Sequence, residues 1–95
     1  VQNWRKTMQQ IDDILDERGA NYGSFVSHAE ISDSIKEIIF TVPADLKPYQ
    51  SEALSMIVHK IARIVNGNPD YVDSWQDIAG YAQLVVNELE RISKL

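Results

Sequence analysis

The chain has 95 residues, a formal net charge of −5 and no cysteine, with 44% hydrophobic and 24% charged residues. This composition predicts a single soluble globular domain over residues 1–95 and excludes disulfides and thiolate metal sites. An acidic chain without a visible basic face is not expected to bind duplex nucleic acid. No apolar run approaches the roughly 18 residues that a membrane span needs, so we expect no membrane association.

The first predicted helix runs from about Asn3 to Arg18. Gly19 follows as its expected C-terminal cap, and the segment "GANYGSF" is typical of a loop. The apolar residues of this helix recur at helical spacing. They are Trp4, Met8, Ile11, Ile14 and Leu15.

The second predicted helix begins near Ser27, because Glu30 three residues later completes a capping-box pattern. It ends near Phe40, ahead of the proline in "TVPAD". Its apolar stripe consists of isoleucines, and we expect this stripe to be buried. The stripe is Ile31, Ile35, Ile38 and Ile39.

The third predicted helix has Pro48 in its first turn and ends at "NGNPD". Six aliphatic residues form its expected buried stripe: Leu54, Ile57, Val58, Ile61, Ile64 and Val65. The fourth helix is expected to be capped by Asp70 or Asp73 and to run to about Ser93. The chain is therefore predicted to be all-α, a compact four-helix antiparallel arrangement that is completed by oligomerisation.

Lys60 and Arg63 interrupt the apolar stripe of the third helix, so they lie at the edge of the core or partly within it. A buried cation needs a partner, and Asp73 and Asp77 lie early in the next helix. One interpretation is a structural joint in which the aspartates face Lys60 and Arg63, with Arg63 paired to one of them. In that joint Trp75, Ile78 and Ala79 would pack between the acids, and Gly80 would allow a close helix approach. The other interpretation is an anion-binding site on the two facing helices. Its expected ligand-binding residues are Arg18, Tyr22, Lys60, Arg63, Asp77 and Tyr81.

Three other readings of polar and aromatic residues are weaker. Glu52, Asp73 and Asp77 would be the ligands of a Mg²⁺ ion, although the neighbouring cations oppose metal binding. His59 and His28 lack any metal-binding spacing and are expected to be ordinary histidines. The aromatic residues of the "GANYGSF" loop are either tucked into the core, the favoured reading, or placed over a planar ligand.

Three segments carry a family resemblance: "ERGANYG" at 17–23, "KIAR" at 60–63 and "DSWQDIAGY" at 73–81. Together they resemble a family of small phage and prophage helical proteins over roughly residues 11–86. This family is distantly similar to the MazG-like all-α nucleoside triphosphate pyrophosphohydrolases, which are oligomeric and bind Mg²⁺ through acids on two neighbouring helices. The resemblance implies a protein of the bacterial cytoplasm, in an infected or lysogenic host, with a nucleotide-like ligand.

The match to the MazG-like metal pattern is partial. Asp77 matches the final acid of the pattern, but Ser74 stands where a glutamate is expected and Asp73 is displaced by one position. Lys60 and Arg63 occupy the region of the other acid pair. The resemblance therefore favours nucleotide binding over nucleotide cleavage.

Three functions follow as hypotheses. The first is a nucleotide-binding protein that sequesters a cyclic or other signalling nucleotide in a basic pocket, as an antagonist of host defence. The second is a Mg²⁺-dependent pyrophosphohydrolase of the MazG-like type. The third is a helical interaction module that acts on a host protein. We also expect a homo-oligomer in each case.

Overall fold

The computed structural model describes residues 2–95, with side chains from Arg5 onwards. The predicted stripe residue Trp4 therefore lies outside the described side chains. Four helices follow one another along the chain: α1 (Gln2–Tyr22), α2 (Phe25–Phe40), α3 (Pro48–Asn66) and α4 (Val72–Ser93). The described residues form no strand, and the all-α, four-helix prediction is confirmed.

The end of α1 lies beyond the predicted glycine cap. The helix continues past Arg18 and through Gly19 to Tyr22. Gly23 is the residue in the left-handed region, with φ of +76°, and its N–H donates to the Gly19 carbonyl at 2.9 Å. A glycine adopts this conformation without a Cβ penalty, which makes Gly23 the terminating residue and the prediction for Gly19 wrong.

The start of α2 is also earlier than predicted. The capping residue is Ser24, whose backbone is extended and whose Oγ accepts the N–H of Ser27 at 3.4 Å. The Ser27 N–H therefore donates to the capping side chain, and Ser27 is not itself the cap. Helix α2 ends at Phe40, as predicted.

The boundaries of α3 and the end of α4 are confirmed, while the α4 cap differs. Pro48 opens α3, and the Gly67 N–H closes it by donating to the Arg63 carbonyl at 3.0 Å. Tyr71 precedes α4 without a capping side-chain bond, so the predicted Asp70 and Asp73 caps are wrong. Asp73 lies within the first turn, where a carboxylate still favours the positive end of the helix dipole.

Helix α3 is the centre of the arrangement, since α2 and α4 both pack along it. Helix α1 meets α2 and α3 at few positions, and its described residues do not pack against α4. The radius of gyration is 17.1 Å and the extents are 56 × 29 × 28 Å. A compact chain of this length has a radius of about 12 Å, so the single chain is more extended than the compact arrangement we expected.

The buried apolar core of the described chain is small. It consists of Ala53, Val58, Ala62 and Ile64, all on α3. Leu54, Ile61 and Val65, which we predicted to be buried, are 36%, 37% and 65% exposed. On α2 the polar residues His28 and Ser32 are buried, while Ile38 of the predicted isoleucine stripe is 73% exposed.

The turn between α1 and α2 packs directly on the turn between α3 and α4. The Asn66 side-chain amide donates to the carbonyls of Tyr22 and Ser24, at 2.9 and 2.8 Å. A Cβ on Gly23 would overlap the Asn66 carbonyl oxygen, so only glycine permits this approach. The contact fixes the C-terminal end of α1 against the C-terminal end of α3.

None of the helices within residues 2–95 combines the length and the apolar character that crossing a bilayer requires.

Candidate functional site

A groove of about 890 Å³ lies between the C-terminal part of α1, the first part of α2 and the C-terminal part of α3. Each of the three helices contributes one cation to its lining: Arg18 from α1, Lys36 from α2 and Arg63 from α3. Its volume is within the roughly 300–1,000 Å³ typical of small-molecule sites. The groove therefore has the size and the basic side chains of an anion site.

Arg63 is held over an aromatic ring. Its guanidinium carbon lies 4.3 Å from the centroid of the Tyr22 ring. The Tyr22 ring in turn meets the edge of Tyr71 at 5.7 Å between centroids. The cation–π contact orients the guanidinium but leaves its N–H donors free for an acceptor.

Two histidines lie together on the groove wall. The rings of His28 and His59 are 5.6 Å apart between centroids, and the ammonium of Lys36 donates to Nε2 of His59 at 2.7 Å. This bond requires His59 to be neutral, with its proton on Nδ1. His28 is only 9% exposed, and its Nδ1 has no hydrogen-bond partner among the described residues.

The surroundings keep both histidines neutral. Burial lowers the pKa of His28, and the nearby His59 and Arg63 lower it further. Burial also lowers the pKa of His59, with Lys36 as the next cause. A bound anion would oppose these effects, because it favours the protonated imidazole.

Among the described residues, the cations of the groove form no ion pair with a carboxylate. Glu30 and Asp33 also line the groove, so three basic residues there face two acidic ones in a chain of net charge −5. In the part of the chain with described side chains, salt bridges join only Lys60 to Asp77 and Arg91 to Glu88. Arg18, Lys36 and Arg63 therefore have no carboxylate within ion-pair distance there.

Lys60 and Asp77 form a separate joint between α3 and α4. The ammonium of Lys60 is 3.1 Å from Oδ2 of Asp77, with side-chain exposures of 10% and 48%. The prediction placed Lys60 and Arg63 opposite the aspartates and paired Arg63 with one of them. Lys60 makes the contact, and Arg63 lies over Tyr22. Because Lys60 is buried and Asp77 reaches the surface, the pair compensates a charge that would otherwise be costly to bury.

The rest of the "DSWQDIAGY" segment also differs from the prediction. Asp73 accepts a hydrogen bond from Tyr71, which raises the pKa of that phenol. Trp75 is 54% exposed and donates its Nε1–H to the Pro69 carbonyl at 2.8 Å, so it does not pack between the acids. A Cβ on Gly80 would meet nothing within 4 Å, so this glycine does not serve a close helix approach.

The structure thus divides the predicted ligand site. Arg18, Tyr22 and Arg63 lie together in the groove. Asp77 and Tyr81 line a shallow surface depression on α4 that shares no residue with the groove. Phe25, which the favoured reading tucked into the core, is 80% exposed and stacks beside His28 at the groove.

The acids proposed for Mg²⁺ do not fit a metal ion. Across the described residues, no three acidic or histidine side chains come together as a metal-binding group. Asp77 is in contact with the Lys60 ammonium, Asp73 with the Tyr71 hydroxyl, and Glu52 lies on the His59 side of α3. A cation at 3.1 Å competes directly with a metal for the Asp77 carboxylate.

Sequence reasoning missed Lys36 and set aside both histidines. His28, Ser32 and Lys36 are spaced four apart, which places them on one face of α2. His59 and Arg63 share the same spacing on α3. These two polar faces, set beside apolar stripes, were the signal that could have located the groove.

Comparison with known proteins gives a family. No curated protein and no solved structure matches the chain. One family model matches residues 6–89, which includes the groove, the Lys60–Asp77 joint and nearly all of the four helices. The chain belongs to this family, which is described as a domain of unknown function (DUF6378).

Proposed function

We propose that the protein binds a phosphate-bearing nucleotide in the groove between α1, α2 and α3. The observation that carries the proposal is the convergence of Arg18, Lys36 and Arg63 on one groove without a carboxylate partner in the described part of the chain. Cations that face a concave surface in this way attract an anionic ligand.

The phosphate would lie against the α2 and α3 walls. Arg63 offers a planar fork that matches two phosphate oxygens, and Lys36 offers a point charge beside it. His28 adds a buried Nδ1 that lacks a partner among the described residues. Protonation of that imidazole on binding would supply a further donor.

The aromatic side chains support a nucleotide over inorganic phosphate. Phe25 is exposed at the groove, and Tyr22 forms part of its wall. A base gains about 1–3 kcal/mol from stacking on an aromatic ring. The groove volume leaves room for both a phosphate end and a base end.

We further propose that the ligand is held and not cleaved. The contact between Lys60 and Asp77 supports this, since it commits the carboxylate that a MazG-like mechanism would need for Mg²⁺. Sequestration of a cyclic or other signalling nucleotide, as the resemblance to phage and prophage proteins suggests, is the role that best suits such a site.

Calorimetric titration with mono-, tri- and cyclic nucleotides tests the proposal, with inorganic phosphate as the reference anion. We expect at least one nucleotide to bind more tightly than phosphate, and to be recovered unchanged after incubation with Mg²⁺. Absence of binding across the panel would overturn nucleotide binding. Release of pyrophosphate that Asp77→Asn abolishes would instead establish the hydrolase.

A further inference from the structure

The single chain exposes more surface than a folded monomer of its mass. Its accessible surface is 7195 Å² for 10.8 kDa. Monomeric proteins of this mass expose about 5,500 Å², so roughly 1,700 Å² of extra surface remains uncovered. An excess of this size indicates that the chain buries further area against another chain.

The uncovered surface on α4 has the pattern of a helix-packing seam. Beside the face that packs on α3, α4 carries a second apolar row at spacings of four, three, four and three residues, which we call the α4 stripe. All five members are exposed: Trp75, Ala79, Ala82, Val86 and Leu89. A mean spacing of 3.5 residues is the period at which one helix packs along another over its whole length.

A matching row lies on α1. Met8, Ile11 and Leu15 are spaced three and four apart and are 44–57% exposed; we call them the α1 stripe. Arg18 and Tyr22 lie on the same face of α1, further along the helix. Because α1 is anchored mainly at its C-terminal end, Met8 and Ile11 lie on a part of the helix that few contacts hold.

We propose that a second copy of this chain covers both stripes, with α1 of each copy packed on α4 of the other. The two helices are of nearly equal length, 21 and 22 residues, and their described residues do not pack against each other within one chain. A twofold axis buries both stripes of both copies in one symmetric contact.

The area supports a copy of the chain as the occupant. Covering roughly 1,700 Å² on each of two copies gives roughly 3,400 Å² in total, within the 2,000–5,000 Å² of permanent homodimers. The small core points the same way, since only four apolar side chains are buried in the described chain. Packing α1 of each copy on α4 of the other would supply the apolar contacts that the single chain lacks.

Light scattering coupled to size-exclusion chromatography tests the proposal on the full chain. We expect the wild type to have twice the 10.8 kDa mass of one chain. Val86→Asp in the α4 stripe and Ile11→Asp in the α1 stripe should each weaken association at least about a hundredfold, because each buries a charge at the interface. Leu84→Asp is the matched control, since Leu84 is 62% exposed on α4 but lies off the stripe.

Loss of folding in the two stripe variants would also support the proposal. Val86 and Ile11 are 43% and 44% exposed in one chain, so a charge there reaches solvent unless a partner covers the site. A helical wild-type monomer would overturn the proposal. So would equal dissociation by Val86→Asp and Leu84→Asp.

Disulfide capture tests the pairing of the helices without any destabilising charge. The chain has no cysteine, so Ile11→Cys and Val86→Cys each introduce a single thiol. We expect an oxidised mixture of the Ile11→Cys and Val86→Cys variants to give more cross-linked pairs than an oxidised mixture of Ile11→Cys and Leu84→Cys. Equal yields would show that α1 does not pack on the α4 stripe.

Discussion

Lys60 and Arg63 stand one turn apart on α3 and have opposite surroundings. Lys60 is 8% exposed, and its ammonium is neutralised by Asp77 from α4. Arg63 is half-buried and lies over the Tyr22 ring, with no carboxylate in ion-pair distance within the described residues. The two cations therefore mark two different regions, the α3–α4 joint and the groove.

The difference separates a structural charge from one that is available to a ligand. Asp77 makes the burial of Lys60 possible, because an unpaired buried charge is costly. A tyrosine ring holds Arg63 in place and reduces its positive potential much less than a carboxylate would. The neutral histidines beside Arg63 form a wall of the groove that can hold an anion. A bound anion favours protonation of these imidazoles.

Gly23→Ala should have the largest effect, because it damages the junction that fixes α1 against α3. The added Cβ would overlap the Asn66 carbonyl, and φ of +76° is unfavourable for alanine. We expect a loss of about 3 kcal/mol in the free energy of unfolding. Chemical denaturation measures it.

Gly19→Ala is the control for that variant. Gly19 lies within α1, and a Cβ there meets nothing within 4 Å. Alanine should stabilise the helix by about 0.5–1 kcal/mol. Destabilisation by both variants would contradict the assignment of Gly23 as the junction residue.

Arg63→Ala should lower nucleotide affinity by about 10- to 100-fold, the equivalent of losing charge-assisted hydrogen bonds of about 1.5–3 kcal/mol. Titration calorimetry measures the change. Arg91→Ala is the matched control, since Arg91 is an exposed arginine that pairs with Glu88 on α4. Equal losses in both variants would indicate nonspecific attraction by surface charge.

Asp77→Ala should reduce the free energy of unfolding by about 1–2 kcal/mol and leave nucleotide affinity unchanged. Removing one partner of a fully buried pair costs about 3–5 kcal/mol, and the half-exposed position of Asp77 lowers the figure. Adding Lys60→Met should restore much of the loss, because no buried charge remains. A tenfold loss of affinity without loss of stability would instead place Asp77 in the ligand site.

Low pH should have the smallest effect. The pKa values of His28 and His59 are lowered from 6.5 in the folded chain, so the unfolded chain binds more protons near that pH. The contribution of both histidines to stability is full above pH 6.5 and is lost as pH falls towards their folded pKa values. Denaturation at pH 5.5 and 7.5 should show this loss, and His28→Gln with His59→Gln should reduce it.

The same lowered pKa values predict the pH dependence of binding. An anion in the groove raises the pKa of both imidazoles from their lowered values, so binding takes up protons and tightens as pH falls below 6.5 towards the folded pKa values. Calorimetry in buffers of different ionisation enthalpy detects the uptake. Affinity that does not change between pH 7.5 and pH 5, with no proton uptake, would remove the histidines from the site.

The helices were predictable because local signals mark them. Pro48, the "NGNPD" stop and the end of α2 before "TVPAD" all lie where the sequence indicates. The end of α1 was predicted wrongly because both Gly19 and Gly23 can end a helix. The positive φ at Gly23 and the approach of Asn66 from a distant turn both require glycine there, and neither can be read from local spacing.

The candidate site was predictable only in part, because its residues come from three helices. Arg63 and Tyr22 were identified, but the pairing of Lys60 and not Arg63 with Asp77 depends on helix rotation, which spacing alone does not fix. The amphipathic pattern also predicted buried stripes that the single chain leaves exposed. A pattern shows which face of a helix is apolar and does not show whether the same chain covers it.

Backbone amide shift mapping by NMR tests the central claim most directly. During titration with the tightest-binding nucleotide of the panel, the amides of Gly23, His28 and His59 should shift, while those of Gly80 and Leu84 on α4 should not. Shifts confined to the α4 depression around Asp77 and Tyr81, or no shifts at millimolar nucleotide, would contradict the assignment of the groove as the binding site.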